Sequence, residues 1–161
     1  MKNPKLTVLV GIPGAGKSTL AEKMAAPGAT TEDQTPALVV SSDKIRERIN
    51  GNINDQANGD RVFKIFAQEI RDGLKAGRHV IADQTALTRR AHELLHDIAR
   101  PFHIRPTAVV FTNVEEARAR NLARDRVVPE HAMDQMEKNL SQILHYLDEN
   151  QAKYIRIIKT N

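Results

Sequence analysis

A chain of 161 residues, 40% of them hydrophobic, is long enough to bury one core and too short to need two, so residues 1–161 are expected to form a single domain. It contains no cysteine, which excludes disulfides, thiolate catalysis and cysteine-ligated zinc or iron–sulfur centres. No N-terminal apolar signal core and no membrane-length apolar run occur, so a soluble intracellular protein with no membrane partner is expected; the net charge of +4 is modest.

The apolar run Leu6–Val10 predicts a first strand. Directly after it, Gly11, Pro13, Gly14, Ala15, Gly16, Lys17 and Ser18 stand in the G-x-x-x-x-G-K-[ST] spacing, and a helix-like stretch begins at Thr19. Glycines at 11, 14 and 16 let the backbone turn its amides inward around a polyphosphate, and the following helix N-terminus adds partial positive charge there. The pattern predicts ATP as ligand, with Lys17 on the β- and γ-phosphates and the Ser18 hydroxyl completing the shell of a Mg²⁺ held mainly by water and phosphate oxygens.

Residues Pro27–Pro36 read as a loop, and Ala37–Val40 as the second strand. Asp43 opens the next helix at that strand's carboxyl end, where a carboxylate could take or orient the proton of an acceptor hydroxyl; Arg46, one turn on, could face a phosphate. The alternative is that Asp43 caps the helix and pairs with Arg46. Residues Asn50–Asp60 read as a second loop, and Val62, Phe66, Ile70 and Leu74 recur every four residues as a helical stripe. The third strand, His79–Ala82, runs into Asp83, which either holds Mg²⁺ through water or serves as a turn former. Arg89 and Arg90 in the next helix's first turn oppose its dipole, which points to an anionic acceptor.

That helix carries His92-Glu93-Leu94-Leu95-His96, an H-E-x-x-H pattern. A stripe of Ala91, Leu94, Leu95, Ile98 and Ala99 is expected to face the core and leave both histidines solvated beside Arg89 and Arg100, which argues against zinc. Thr107–Phe111 predicts a fourth strand after a turn at 100–106. Arginines then cluster at 118, 120, 124 and 126. Arg120 and Arg124, four apart, are expected on one helical face of a mobile lid bounded by Pro129; Glu116 can pair with Arg120, which leaves Arg124 as the stronger candidate for phosphate. Met133, Met136, Leu140, Ile143, Leu144 and Leu147 mark the longest helix, and Ile155–Ile158 a fifth buried strand. Strands alternating with helices predict an α/β fold, a parallel five-stranded sheet with helices on both faces and its ligand at the strands' carboxyl ends.

The order of these parts resembles the kinase domain of bacteriophage and bacterial polynucleotide 5′-hydroxyl kinases over the whole length. The carriers are Gly11 to Thr19, Ser42-Asp43-Lys-Ile-Arg46, Asp83-Gln84-Thr85, and Arg120-Asn121-Leu-Ala-Arg124 followed by Val128-Pro129. The resemblance implies an adenylate-kinase-like P-loop NTPase fold with Lys17 and Ser18 on ATP and Mg²⁺, Asp43 as general base and Arg46 on the acceptor's 3′-phosphate. It also implies Asp83 as a supporting acid, Arg120 and Arg124 on the donor phosphates, a 5′-hydroxyl DNA or RNA as partner, a role in nucleic-acid end repair, and a cytoplasmic setting in a bacterium or a phage's host. Ala86 stands near where that family has an asparagine, and no Asp-x-Asp-x-Thr phosphatase motif occurs. The alternatives are a P-loop kinase for a small metabolite, antibiotic or nucleotide sugar, and a module that binds ATP without transferring phosphate.

Overall fold

The computed structural model describes residues 3–27, 36–50 and 59–160. Strand β1 (Lys5–Val10) leads through the glycine-rich loop into α1 (Lys17–Ala25), then β2 (Leu38–Ser41) and α2 (Ser42–Asn50). Helix α3 (Gly59–Lys75), β3 (His79–Asp83), α4 (Arg89–Ala99) and β4 (Thr107–Phe111) follow. The chain then forms α5 (Val114–Leu122), α6 (Glu130–Glu149) and β5 (Arg156–Thr160). Most of the two loops expected at 27–36 and 50–60 lies outside the described residues; α2 and α3 extend to Asn50 and back to Gly59.

The five strands form one parallel sheet in the order β2-β3-β1-β4-β5. Leu6, Val8, Leu9 and Val10 are at most 2% exposed, because a central parallel strand is covered on both faces and has no solvated side to alternate toward. With right-handed crossovers, the β1–β2 connection runs one way across the sheet and sets α1 on one face; the later connections run the other way and set their helices on the opposite face. Neighbours β1 and β4 therefore send their following segments in opposite directions, the kind of reversal at whose carboxyl ends open α/β sheets take their ligands. The stripe Val62, Phe66, Ile70 and Leu74 of α3 is buried as its four-residue spacing predicts.

Two expectations are corrected. Strand β5 starts one residue later than expected and is largely exposed, because it is an edge strand paired only with β4. In α4 the buried face is His92, Leu95, Ile98 and Ala99, and Leu94, expected in the core stripe, is 39% exposed.

 Helix α4 thus turns His92, Leu95, Ile98 and Ala99 to the core and leaves His96 half-buried, so the expectation of two solvated histidines is wrong for His92, which is 1% exposed. The reason is that the His92 ring finds buried hydrogen-bond partners, the Tyr154 hydroxyl at 2.8 Å and the Ala86 carbonyl at 2.7 Å, which an apolar-stripe argument does not see. With both ring nitrogens engaged, His92 is a structural histidine and not half of a zinc pair.

Candidate active site

The glycine-rich loop is shaped by its own backbone and by α5. Gly14 (φ +87°) and Gly16 (φ +104°) hold left-handed conformations that side chains disfavour. A Cβ on Gly14 would in addition overlap the Ala117 carbonyl oxygen and stand 3.2 Å from the Asn121 nitrogen, so the loop is pressed directly on α5. At Gly16 the Cβ position has more room, 3.5 Å from an Arg120 guanidinium nitrogen, which puts Arg120 beside the loop. Gly16 also caps α1, so that helix begins at Lys17 and its first free amides face the loop.

Lys17 is buried, and its Nζ donates to the carbonyls of Gly11 (2.8 Å) and Ile12 (2.9 Å). Burial lowers its pKa to about 8, with Asp83 and Asp43 opposing that shift and Arg124 adding to it. The Ser18 hydroxyl donates to Asp83 Oδ2 at 3.1 Å across 65 residues of sequence. Burial pushes the Asp83 carboxyl up, while the Ser18 hydrogen bond and the Lys17 ammonium hold it down. A hydroxyl and a carboxylate side by side are hard oxygen donors and fit Mg²⁺. Among the described residues no group of three or more His, Asp or Glu could hold a metal, so such an ion would take its remaining ligands from water and phosphate.

Asp43 is the second residue of α2, at the carboxyl end of β2, where Ser41 of β2 stands in register with Asp83 of β3. It is not the helix cap: the Ser41 hydroxyl accepts from the Lys44 amide at 3.3 Å and takes that role. Each Asp43 oxygen accepts from one arginine, Oδ1 from Arg46 and Oδ2 from Arg126, both at 3.0 Å. The Arg46 and Arg126 side chains are 16% and 23% exposed, and the Nε of each is buried with no hydrogen-bond partner among the described residues. A buried donor left unpaired costs free energy, so this pair of arginines is built for a further acceptor.

The expected helical pairing of Arg120 with Arg124 is corrected. Helix α5 ends at Leu122, because the Asn121 side chain hooks the chain back through two bonds to Val128, its Nδ2 donating to the carbonyl (2.9 Å) and its Oδ1 accepting from the amide (3.0 Å). Arg124 and Arg126 therefore ride on a loop and not on a helical face, and that loop carries them toward Asp43. Burial and Arg126 lower the pKa of Arg124, while Asp43 raises it. Arg120 is paired with Glu116, as its spacing allows. Arg118 ties α5 to α6 through Glu137 (2.8 Å) and Asp134. Arg89 bonds Glu93 at 2.8 Å and lies over the Tyr146 ring, 5.5 Å from its centroid, which accounts for its place without an acceptor phosphate.

Lys17, Arg46, Arg124 and Arg126 thus gather around the two carboxylates Asp43 and Asp83, an excess of positive charge suited to phosphate groups. Arg126 is the site residue that sequence reasoning missed: it belonged to the arginine cluster at 118–126, but only the Asn121 hook turns it inward.

A family model described as an AAA domain matches residues 6–143, and the chain belongs to that family; its fold is that of a P-loop kinase. No curated protein matches the sequence. Among solved structures, a chain of the Pnkp1/Rnl/Hen1 RNA repair complex is similar at a TM-score of 0.75 and 22% identity, covering 91% of this chain and 47% of that one. This chain thus spans about half the length of that relative. A gluconokinase from Sinorhizobium meliloti 1021 is similar at a TM-score of 0.56 and 19% identity, with 99% of this chain and 83% of that one covered. Kti12 from Chaetomium thermophilum, solved in complex with ADP-AlF3, is similar at 0.64 and 17% identity, with coverage of 96% and 88%. Among the described residues no helix is long and apolar enough to cross a membrane.

Proposed function

We propose that the chain is an ATP-dependent phosphotransferase that moves the γ-phosphate to the 5′-hydroxyl end of DNA or RNA. One observation carries this reading: Asp43 stands between Arg46 and Arg126, and each arginine keeps a buried Nε without a partner among the described residues. A carboxylate takes or orients the proton of the attacking hydroxyl, and the spare guanidinium donors take a phosphate attached next to it, the chemistry of a nucleic-acid end. A neutral acceptor would leave those donors unpaired. The similarity in fold to a chain of an RNA repair complex supports the same reading.

In this mechanism the loop amides and Lys17 bind the donor's β- and γ-phosphates, Lys17 exchanging its bonds to the Gly11 and Ile12 carbonyls for phosphate oxygens. Ser18 and Asp83 would hold Mg²⁺, which when bound would neutralise charge on the donor phosphates. Asp43 aligns the acceptor hydroxyl and takes its proton as the hydroxyl oxygen bonds to the γ-phosphorus, while the bond from that phosphorus to the bridging oxygen breaks and ADP leaves with the electron pair. Arg124 offsets the charge that develops on the transferring group, and the loop that carries Arg124 and Arg126 acts as the lid that excludes water.

A small-metabolite kinase is the second reading, favoured by the gluconokinase match, which covers 83% of that protein and nearly all of this chain. The experiment is radiolabel transfer from [γ-³²P]ATP, with a 5′-hydroxyl oligonucleotide and gluconate offered in parallel. Transfer to the oligonucleotide is expected, with affinity falling steeply as salt rises because phosphates are being neutralised. Labelling of gluconate alone, or oligonucleotide binding indifferent to salt, would refute the nucleic-acid acceptor.

A further inference from the structure

The loop of residues 84–88, which joins β3 to α4, is pinned at both ends of one short chain of hydrogen bonds. At one end the Thr85 carbonyl accepts from the Gly11 amide, the first residue of the glycine-rich loop, at 3.0 Å. At the other, the next residue, Ala86, is 2% exposed and held at φ +50°, a left-handed conformation that a non-glycine residue keeps only when its surroundings impose it. The Ala86 carbonyl lies 2.7 Å from His92 Nε2, and His92 Nδ1 lies 2.8 Å from the Tyr154 hydroxyl. A carbonyl can only accept, so Nε2 carries the proton and donates; Nδ1 of the neutral ring then accepts from the Tyr154 hydroxyl. Burial keeps the ring neutral, lowering its pKa to about 4, and pushes the Tyr154 phenol up, so both donors keep their protons near neutral pH.

We infer that His92 is a positioning residue: held by Tyr154, it fixes the carbonyl of Ala86 and thereby seats Thr85 against Gly11 and Asp83 against Ser18. Through the Thr85 carbonyl, the loop that follows Asp83 bonds the first residue of the glycine-rich loop by its main chain, so its conformation bears on the distance between Asp83 and the start of α1. Without the His92 donor, the Ala86 carbonyl would lose its partner in a buried position and the left-handed turn its cause. The kinetic arm of this inference rests on the phosphotransferase reading; the structural arm does not.

The test measures hydrogen exchange of the Gly11 amide by NMR, together with kcat and the KM for ATP, in wild type and in His92→Phe, His92→Gln and Tyr154→Phe. In His92→Phe the Gly11 amide is expected to exchange roughly tenfold faster, and kcat to fall roughly tenfold with the KM for ATP nearly unchanged. His92→Gln, whose amide nitrogen reaches where Nε2 sits, should recover most of both losses. A residue that only fills the core would lower thermal stability in the Phe and Gln variants alike and leave Gly11 exchange untouched, and that result overturns the inference. Tyr154→Phe removes one oxygen and no packing volume, so it decides the matter if His92→Phe does not fold: Gly11 exchange about threefold faster supports the inference, unchanged exchange overturns it. Faster Gly11 exchange in a protein whose wild type transfers phosphate to no acceptor would uphold the positioning role and sink the proposed function instead.

Discussion

Replacing Asp43 by asparagine separates the chemistry of this carboxylate from its part in holding the structure. The side chain is 40% exposed and accepts one bond from Arg46 and one from Arg126. Pairs this open to solvent contribute about 0.2–1 kcal/mol each, and asparagine keeps one oxygen that can still accept from an arginine. The helix cap is untouched, because it belongs to Ser41. The stability cost is therefore about 1 kcal/mol, a fall in Tm of about 2–4 °C for a domain of this size. Loss of a general base costs turnover roughly 100-fold or more, equivalent to about 2.7 kcal/mol of transition-state stabilisation. ATP affinity should hardly change, since the lost contact serves the acceptor. The assay is steady-state transfer to a 5′-hydroxyl oligonucleotide, with ATP affinity measured by fluorescence titration and folding by thermal melting. A folded Asp43→Asn protein with near-normal turnover would refute the role given to this residue.

Lys17→Ala should abolish transfer while changing stability by no more than about 1 kcal/mol, because the ammonium it removes is desolvated and its two carbonyl bonds go with it; wild-type rates in the folded variant would contradict the assignment of the loop. Gly14→Ala should destabilise by about 1–3 kcal/mol, more than Gly16→Ala, because both glycines are left-handed but only at Gly14 does the new methyl meet the α5 backbone; equal melting temperatures would refute the packing argument. Burial places the Lys17 pKa at about 8, below its ordinary 10.5, so this group lowers stability as pH falls from 10.5 through 8 and its charged form is recovered when phosphate arrives. ATP binding at pH 8 should then take up about half a proton, seen as a calorimetric enthalpy that depends on the buffer's ionisation heat, and a buffer-independent enthalpy would rule this out.

The sequence by itself determined the elements whose signal is local. The run Leu6–Val10, the glycines at 14 and 16, Lys17 and Ser18 form one contiguous stretch, and backbone sterics with a helix N-terminus make a phosphate loop from it wherever it stands. The four-residue stripe of α3 and the strand at Thr107–Phe111 were legible for the same reason, since burial on one helix face or inside a parallel sheet imposes its period on neighbouring residues. What only the tertiary structure decided lies between residues far apart. The 3.1 Å bond from Ser18 to Asp83 spans 65 positions, the bond from Arg126 to Asp43 spans 83, and that from His92 to Tyr154 spans 62. Periodicity placed His92 on a wet face because it weighs apolarity alone, whereas in the fold two polar partners satisfy the ring and let it be buried. Likewise Arg124 looked helical until the two bonds of Asn121 to Val128 ended α5 early and turned the segment with Arg124 and Arg126 toward the site. Spacing along a chain reports local geometry; which side chains converge on Asp43 is settled by how the strands order themselves in the sheet, and no window of sequence contains that information.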